Sequence, residues 1–403
     1  MSSGLRYALS ARSGGPVTVE DYRRRARRAV PGMVWAYVDG GADAEWTMAR
    51  NRTAFDRWTL RSRVLTGHSG TRLGTTIAGT QLSLPVFLSP TGMTGLVHPG
   101  GERSAARAAE AAGTRAVIST ASSYTVEEVA DATAQDHFFQ LYPWTSQTTG
   151  EPLSGRFIAR ARDAGYSALV VTVDVPVGGN RIGERKRGMG IPPVLTPGRA
   201  MSAAIRPRWA YGFLRHQRIT ARMLVNERGT RAAVASARTQ QTLLRPDLVW
   251  DDFARIRDMW EGPVYIKGVL DADDAERAVD LGADGVLVSN HGGRQLDGAP
   301  AALDALPGVA DRIGGRVPVF LDGGIRRGSD VVKALALGAT AVGIGRPYVY
   351  GLAAHGQAGV EHVLEILREE IVRTLTLMGL DDVADLDRSH VQRAISDSPP
   401  PGP

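Results

Sequence analysis

Lys267 closes a short β-rich run, Val264–Lys267 (VYIK), and is one of only three lysines in a chain whose 48 basic residues are otherwise all arginine. Arginine would be the default if charge alone were needed, so a compact ammonium at a strand end points to a specific geometric task. His291 stands in SNHGGR with Arg294 three residues on, a base and an anion clamp on one loop. Asp174 ends another run, where its carboxylate can bond the imidazole, set its tautomer and raise its basicity. The other seven histidines read as structural. Two further segments, DGGIRRGSD and GIGRP, join glycine to arginine. Glycine lets backbone N–H groups approach an oxyanion and Arg326 or Arg346 adds a planar pair of donors, which is phosphate chemistry. Tight turns are the plainer reading of either segment alone.

These residues need a scaffold that gathers strand ends. From residue 84 onward, eight β-rich runs alternate with Ala-rich helical stretches: Leu84–Ser89, Arg115–Ser119, His137–Leu141, Ala168–Val173, Val264–Lys267, Gly285–Ser289, Val317–Leu321 and Ala339–Ile344. Eight is the count of a (β/α)8 TIM barrel, whose chemistry sits at the C-terminal ends of its strands. An open doubly wound sheet is disfavoured because no G-x-G-x-x-G follows the first strand. Helical spacing over Arg103–Ala112, Leu153–Ala164, Asp273–Leu281 and Asp330–Leu337 ends each time at a glycine, Gly113, Gly165, Gly282 or Gly338, suited to a left-handed cap. Residues 17–60 read as helices before the barrel, opening on the capping box TVED, and Val360–Leu380 reads as a closing amphipathic helix. The barrel domain is expected over 17–390, between flexible tails 1–16 and 391–403. An insertion over 190–247 follows the fourth strand, far longer than an ordinary βα loop.

Composition narrows the function. With no cysteine, disulfides, thiolate metal sites and cysteine nucleophiles are excluded, and redox chemistry must come from a cofactor. A net charge of +6 over 403 residues gives no case for a nucleic-acid partner, and the RRRARR run reads as a solvated helix face. No run reaches the length of a membrane span and the first residues lack a signal-peptide core, so the expected location is cytoplasmic.

The blocks SNHGGRQLDG, DGGIRRG, KALALG, GRP, FQLY, PTGM and GGADAEW together resemble the FMN-dependent 2-hydroxy acid oxidase and dehydrogenase family, which includes glycolate oxidase, lactate oxidase, flavocytochrome lactate dehydrogenase and mandelate dehydrogenase. The resemblance runs from about residue 17 to 390. It implies oxidation of an (S)-2-hydroxy acid to the 2-oxo acid on FMN, with quinone or oxygen as electron acceptor, in a homotetramer or larger. It implies His291 as the active-site base, supported by Asp174, with the base taking either the Cα proton or the hydroxyl proton. Arg181 and Arg294 would grip the substrate carboxylate, and Tyr37 and Tyr142 would bond the substrate. For FMN it implies Pro90, Thr91, Gly92, Ser119, Gln140, Thr172, Lys267 and Ser289 around the ring, and Asp322, Gly324, Arg326, Gly345 and Arg346 at the ribityl chain and phosphate. No metal site is implied.

Departures from the family pattern carry further expectations. Arg181 is followed by Ile-Gly-Glu where many members have Glu-x-Asp. Ala121 and Gly178 replace bulkier residues, which implies a roomier pocket suited to a mandelate-like acid. Gly92 is expected to leave space over the flavin, and its resemblance to mandelate dehydrogenase favours a quinone acceptor over oxygen, with an oxygen-using oxidase as the alternative. A related flavin enzyme acting on a biosynthetic intermediate, or a basic binding protein without flavin, would be the rival functions. Within the insertion, Arg206, Arg208, Trp209 and Phe213 suit peripheral contact with the inner membrane face, an oligomer contact, or a lid with a buried aromatic anchor.

Overall fold

The computed structural model describes residues 15–146, 150–189, 196–218, 220–224 and 243–394. Most of both expected tails, and residues 190–195, 219 and 225–242 of the expected insertion, lie outside the described residues. Eight parallel strands form one sheet: β1 (Val86–Leu88), β2 (Val117–Ser119), β3 (Phe138–Leu141), β4 (Ala168–Thr172), β5 (Val264–Val269), β6 (Gly285–Val288), β7 (Val319–Asp322) and β8 (Ala341–Ile344). β8 pairs with β1, and a parallel bridge from Leu88 to Ala116 returns β1 to β2, closing the barrel.

The barrel is enclosed by helices. Among the described residues three precede it, α1 (Val19–Ala29), α2 (Gly32–Asp39) and α3 (Trp46–Thr53), and α1 opens on the expected Thr18–Asp21 capping box. Around the barrel run α4 (Gly101–Ala111), α5 (Val126–Ala130) and α6 (Ser154–Asp163). The excursion after β4 then carries α7 (Ile182–Lys186), α8 (Pro197–Ala204) and α9 (Pro207–His216). The outer ring resumes with α10 (Trp250–Asp258), α11 (Ala272–Asp280), α12 (Ala302–Ile313), α13 (Gly328–Ala336) and α14 (Arg346–Met378). Gly113, Gly165, Gly282 and Gly338 all take positive φ, as their place after a helix required.

A two-residue period writes the interior. Apolar residues from every strand fill the lower barrel: Phe87, Val117, Phe138, Val170, Tyr265, Leu287, Phe320 and Ala341, with Ala168 below Val170 on β4. Side chains two residues on return to the same face of a strand. Those positions are Ser89, Ser119, Gln140, Thr172, Lys267, Ser289, Asp322 and Gly343, so a dry floor supports a polar rim. Below the floor a hairpin, Thr75–Ile77 with Thr80–Leu82, packs Ile77 and Leu82 into the same cluster.

Three expectations are corrected. Residues 58–60 are not helical: Trp58–Leu60 is a strand pairing antiparallel with Val391–Arg393, and Arg393 lies over the Trp58 ring at 5.4 Å. The ordered chain therefore runs past the expected boundary at 390. The closing helix begins at Arg346 rather than near Val360, because Pro347 in its first turn needs no backbone donor and starts it early. Non-helical angles at His355 and Gly356 kink it, and that break hid its first half from a periodicity reading.

His137, just before β3, is 2% exposed, and its Nδ1 accepts from the Ala116 amide at 3.3 Å. Burial, helped by the Arg115 charge, pushes its pKa down to about 4. The unfolded chain takes up this proton near pH 6.5 while the folded one does not, so stability is lost as pH falls from 6.5 towards 4. The expected loss is about 3 kcal/mol. Urea unfolding at pH 7 and pH 4 checks it: His137→Gln should remove about that much of the acid sensitivity.

Candidate active site

The rim opens into a cavity of about 1240 Å³ above the C-terminal strand ends. Ordinary small-molecule sites take about 300–1000 Å³, so there is room for more than one ligand. Tyr37, Pro90, Thr91, Gly92, Tyr142, Arg181, Lys267, His291, Arg294, Asp322, Gly324, Arg326, Gly345 and Arg346 all line it. Ser119, Gln140, Thr172 and Ser289 are buried in the rim rather than on the wall, and Asp174 stands behind His291.

Rim contacts are specific. The Lys267 ammonium donates to Ser289 Oγ at 2.8 Å and lies 3.3 Å from Asp322 Oδ2, which also accepts from Ser89 Oγ at 3.1 Å. Ser119 Oγ donates to Gln140 Oε1 at 2.7 Å. Gln140 Nε2, Thr172 Oγ1, Asp322 Oδ1, Arg181 Nε, Arg326 Nε and Arg346 Nε are buried and find no partner among the described residues. Buried polar atoms left unmatched are costly, and a cluster of them along one cavity signals a polar ligand.

His291 Nδ1 lies 3.1 and 3.2 Å from the two oxygens of Asp174. Burial would raise the Asp174 carboxyl, but the facing His291 ring and the Lys267 ammonium overcome it and hold the group below the usual carboxylate range. An ionised carboxylate only accepts, so Nδ1 must be the donor, and in the neutral ring Nε2 keeps its lone pair. The Tyr142 hydroxyl is 3.4 Å from that Nε2, and burial raises its pKa, so it stays a hydroxyl. Its ring stacks on Trp144 at 5.3 Å.

Backbone geometry makes this arrangement possible. His291, Gly292 and Gly293 are three successive residues at positive φ, with His291 at 58°, an uncommon state for a side-chain-bearing residue. A Cβ on Gly293 would stand 2.5 Å from the Met48 amide nitrogen of α3. Asn290 and Asn51 exchange amide hydrogen bonds at 2.8 Å each way, clamping the same loop to α3. On β5 a register shift follows Lys267, and Gly268, at φ 103°, leaves the space that Asp174 fills: a Cβ there would lie 2.5 Å from Asp174 Cβ.

Two guanidiniums meet at the mouth. Arg294 donates through Nη1 to the carbonyls of Tyr37 and Gly40 at 2.7 and 2.8 Å, and through Nη2 to Glu184 Oε1 at 2.8 Å. Glu184 is also 3.8 Å from Arg181 Nη1, three residues back. Burial and then the neighbouring Arg294 charge lower the Arg181 pKa. The glutamate at this spacing is thus the support for both arginines, a role given no residue in the sequence reading. Tyr37 donates to the Gly92 carbonyl at 2.8 Å, and burial raises its pKa. Arg346 donates to the Gly292 and Gly40 carbonyls at 2.9 and 2.8 Å; burial lowers its pKa to about 10, so it remains a cation.

Two local expectations change. A Cβ on Gly92 would sit 2.9 Å from Ala121 Cβ, so the space expected at Gly92 is filled by Ala121; a Cβ on Gly178, by contrast, would meet nothing within 4 Å among the described residues. In the insertion, Trp209 and Phe213 stack at 4.9 Å and line the cavity, with Trp209 Nε1 donating to the Leu96 carbonyl at 2.9 Å. Arg206 bonds the Arg28 carbonyl at 3.2 Å. Of the four residues read as a membrane face, only Arg208 is exposed; the outward apolar residues are Met201, Ile205, Tyr211 and Leu214.

The family model for FMN-dependent dehydrogenases matches residues 26–393. The chain belongs to the FMN-dependent dehydrogenase family. It is 43% identical over 378 residues to an L-lactate dehydrogenase of Caulobacter vibrioides, covering 92% of this chain and 96% of that one. Against glycolate oxidase of Spinacia oleracea the identity is 39% over 373 residues, covering 93% and 95%. The crystal structure of the monotopic membrane protein (S)-mandelate dehydrogenase matches with a TM-score of 0.89 at 36% identity, over 94% of this chain and 100% of that one. A soluble mutant of the membrane-associated (S)-mandelate dehydrogenase from Pseudomonas putida matches at 0.79 and 36%, over 94% and 99%. The cavity of this FMN-dependent dehydrogenase suits its cofactor: the unmatched donors and acceptors from Gln140 to Asp322 fit a ring edge and hydroxylated chain, and Arg326 and Arg346 beside Gly324 and Gly345 fit a phosphate.

Proposed function

We propose that this FMN-dependent 2-hydroxy acid oxidoreductase takes an (S)-2-hydroxy acid with a bulky or aromatic side chain, mandelate-like, and passes its electrons to a quinone rather than to oxygen. The observation that carries the reading is His291, backed by an ionised Asp174, on the same loop as an arginine that shares Glu184 with a second arginine. Bound FMN supplies the two-electron sink. Pro90, Thr91, Gly92, Ser119, Gln140, Thr172, Lys267 and Ser289 would hold its ring, and Asp322, Gly324, Arg326, Gly345 and Arg346 its ribityl chain and phosphate.

Arg181 and Arg294 hold the substrate carboxylate, with Tyr37 beside them, so the hydroxyl-bearing carbon is fixed against the rim. His291 Nε2 takes the proton, whether from Cα or from the hydroxyl, and Asp174 stabilises the imidazolium that results. Tyr142 orients the reacting oxygen. Lys267, buried among Ser289 and Asp322, offers a fixed positive charge where reduction develops negative charge.

The pocket supports a large side chain: Ala121 is small, Gly178 faces open space and Trp144 lines the wall. For the acceptor, the outward side of α8, α9 and the turn between them sets Met201, Ile205, Tyr211 and Leu214 beside exposed Arg208 and Arg215, a composition that suits an anionic membrane surface, where quinone is available. Among the described residues no helix is long and apolar enough to cross a membrane.

Anaerobic reduction by glycolate, lactate, mandelate and 4-hydroxymandelate tests the substrate. Mandelate should bleach the flavin fastest, since each well-packed extra CH₂ contributes about 0.8 kcal/mol; glycolate faster than mandelate would defeat the pocket argument. Reoxidation should be fast with a quinone and slow in air. Rapid reoxidation by air, together with no binding to anionic liposomes at low salt, would move the protein to the oxidase reading.

A further inference from the structure

We infer that Glu102 is a positioning residue for substrate selection: by holding the loop after β1 against the loop after β2, it fixes the spacing of Gly92 and Ala121 on the wall that borders the substrate's side chain. The inference rests on the pocket reading proposed above, in which a small residue 121 admits a large side chain. Glu102 is 3% exposed and stands behind the cavity wall, with no task in the chemistry at His291. Its Oε1 accepts from the Thr94 amide at 2.9 Å and from the Ser123 amide at 3.0 Å, one donor from each loop. Its Oε2 is buried and finds no hydrogen-bond partner among the described residues. A carboxyl group so placed is costly, and burial pushes its pKa up. What the two amides require is an acceptor oxygen, not a charge.

The local sequence puts the oxygen there. Glu102 is the second residue of α4, and Gly101 before it takes φ 43°. A Cβ on Gly101 would stand 3.1 Å from the Gly95 amide nitrogen and 3.1 Å from Tyr124 Cε2, so a glycine lets the helix start wedged between the two loops. Successive residues of the first loop are held by different elements: the Gly92 carbonyl accepts from Tyr37, the Met93 amide donates to the Ala121 carbonyl at 2.9 Å, and the Thr94 amide donates to Glu102. Met93 sits at φ 51°, a state that persists where its surroundings over-determine it. Ser123 Oγ adds a parallel tie by accepting from the Gly95 amide at 3.0 Å. Because the Gly92 and Ala121 walls fit with no room for one more methyl group, a small parting of the loops reshapes the pocket. Without Glu102 two buried amides lose their acceptor, which drives that parting.

The test is anaerobic flavin reduction of the FMN-loaded protein by mandelate and by lactate, read as the ratio of their second-order rate constants. In Glu102→Ala the mandelate-to-lactate ratio should fall about tenfold or more through weaker mandelate binding. The limiting rate with saturating lactate should stay within about threefold, since His291 and Asp174 are untouched. Glu102→Gln keeps an acceptor oxygen in place and should hold the parent ratio within about threefold. Ser123→Ala cuts only the neighbouring Gly95 tie and should lower the ratio about threefold; it decides alone if Glu102→Ala does not fold. A ratio unchanged in the alanine variants overturns the inference and leaves the pocket reading standing. A ratio that falls as far in Glu102→Gln as in Glu102→Ala also overturns it. A parent enzyme reduced as fast by lactate as by mandelate overturns the pocket reading and the inference together.

Discussion

Replacing His291 by asparagine is expected to yield a protein that still binds FMN but whose reduction by substrate slows about 10²- to 10⁴-fold, the range carried by a positioned base. Asparagine is the informative substitution because residue 291 sits at φ 58°, a conformation that asparagine tolerates better than alanine. The backbone amide of residue 291 can keep its 3.1 Å bond to Ser289 Oγ, so the rim under the cofactor is undisturbed. What is lost is the Nε2 lone pair beside the Tyr142 hydroxyl. Anaerobic stopped-flow reduction measures the effect, and a rate near that of the parent enzyme would remove His291 from the role of base.

Arg294→Lys should lower kcat/KM by about a hundredfold although the charge is conserved. The guanidinium serves two backbone carbonyls and Glu184 at once and lies over the Tyr37 ring at 5.2 Å. A point-charge ammonium lacks the planar fork, and any buried acceptor it abandons costs about 1–3 kcal/mol. Steady-state kinetics on protein of matched FMN content is the check. An unchanged specificity constant would mean that residue 294 serves the fold and not the substrate.

The barrel was legible because its signal is local. Seven of the eight strands carry an apolar floor residue and a polar rim residue two positions apart, as Phe138 and Gln140 or Tyr265 and Lys267 do, and a short run is enough to display that period. The base and clamp were legible through the compact SNHGGR block. What stayed hidden depends on partners far apart in the chain. Asn51 meets Asn290 across 239 positions, and the strand at residues 58–60 finds its mate only at 391–393. Glu184 was visible as a residue but not as a partner: its i+3 spacing from Arg181 mattered only once a five-residue helix placed Arg294 beside it. Trp209 and Phe213 were read as aromatics on an insertion, and composition cannot say which way a helix turns its faces. The Leu96 carbonyl decides it by taking the indole N–H.

The left-handed turn at residues 291–293 has a consequence for how this molecule can be taken apart. Its glycine presses against the Met48 amide, and its neighbour Asn290 is locked to Asn51, so the segment ahead of the first barrel strand is the mould in which the active loop is cast. The eight-stranded cylinder is therefore not an independent cassette. A chimera that grafts the 289–298 loop from a relative must bring the matching 40–53 segment with it, and a truncation that spares every barrel strand but removes that segment loses the shape of the catalytic turn.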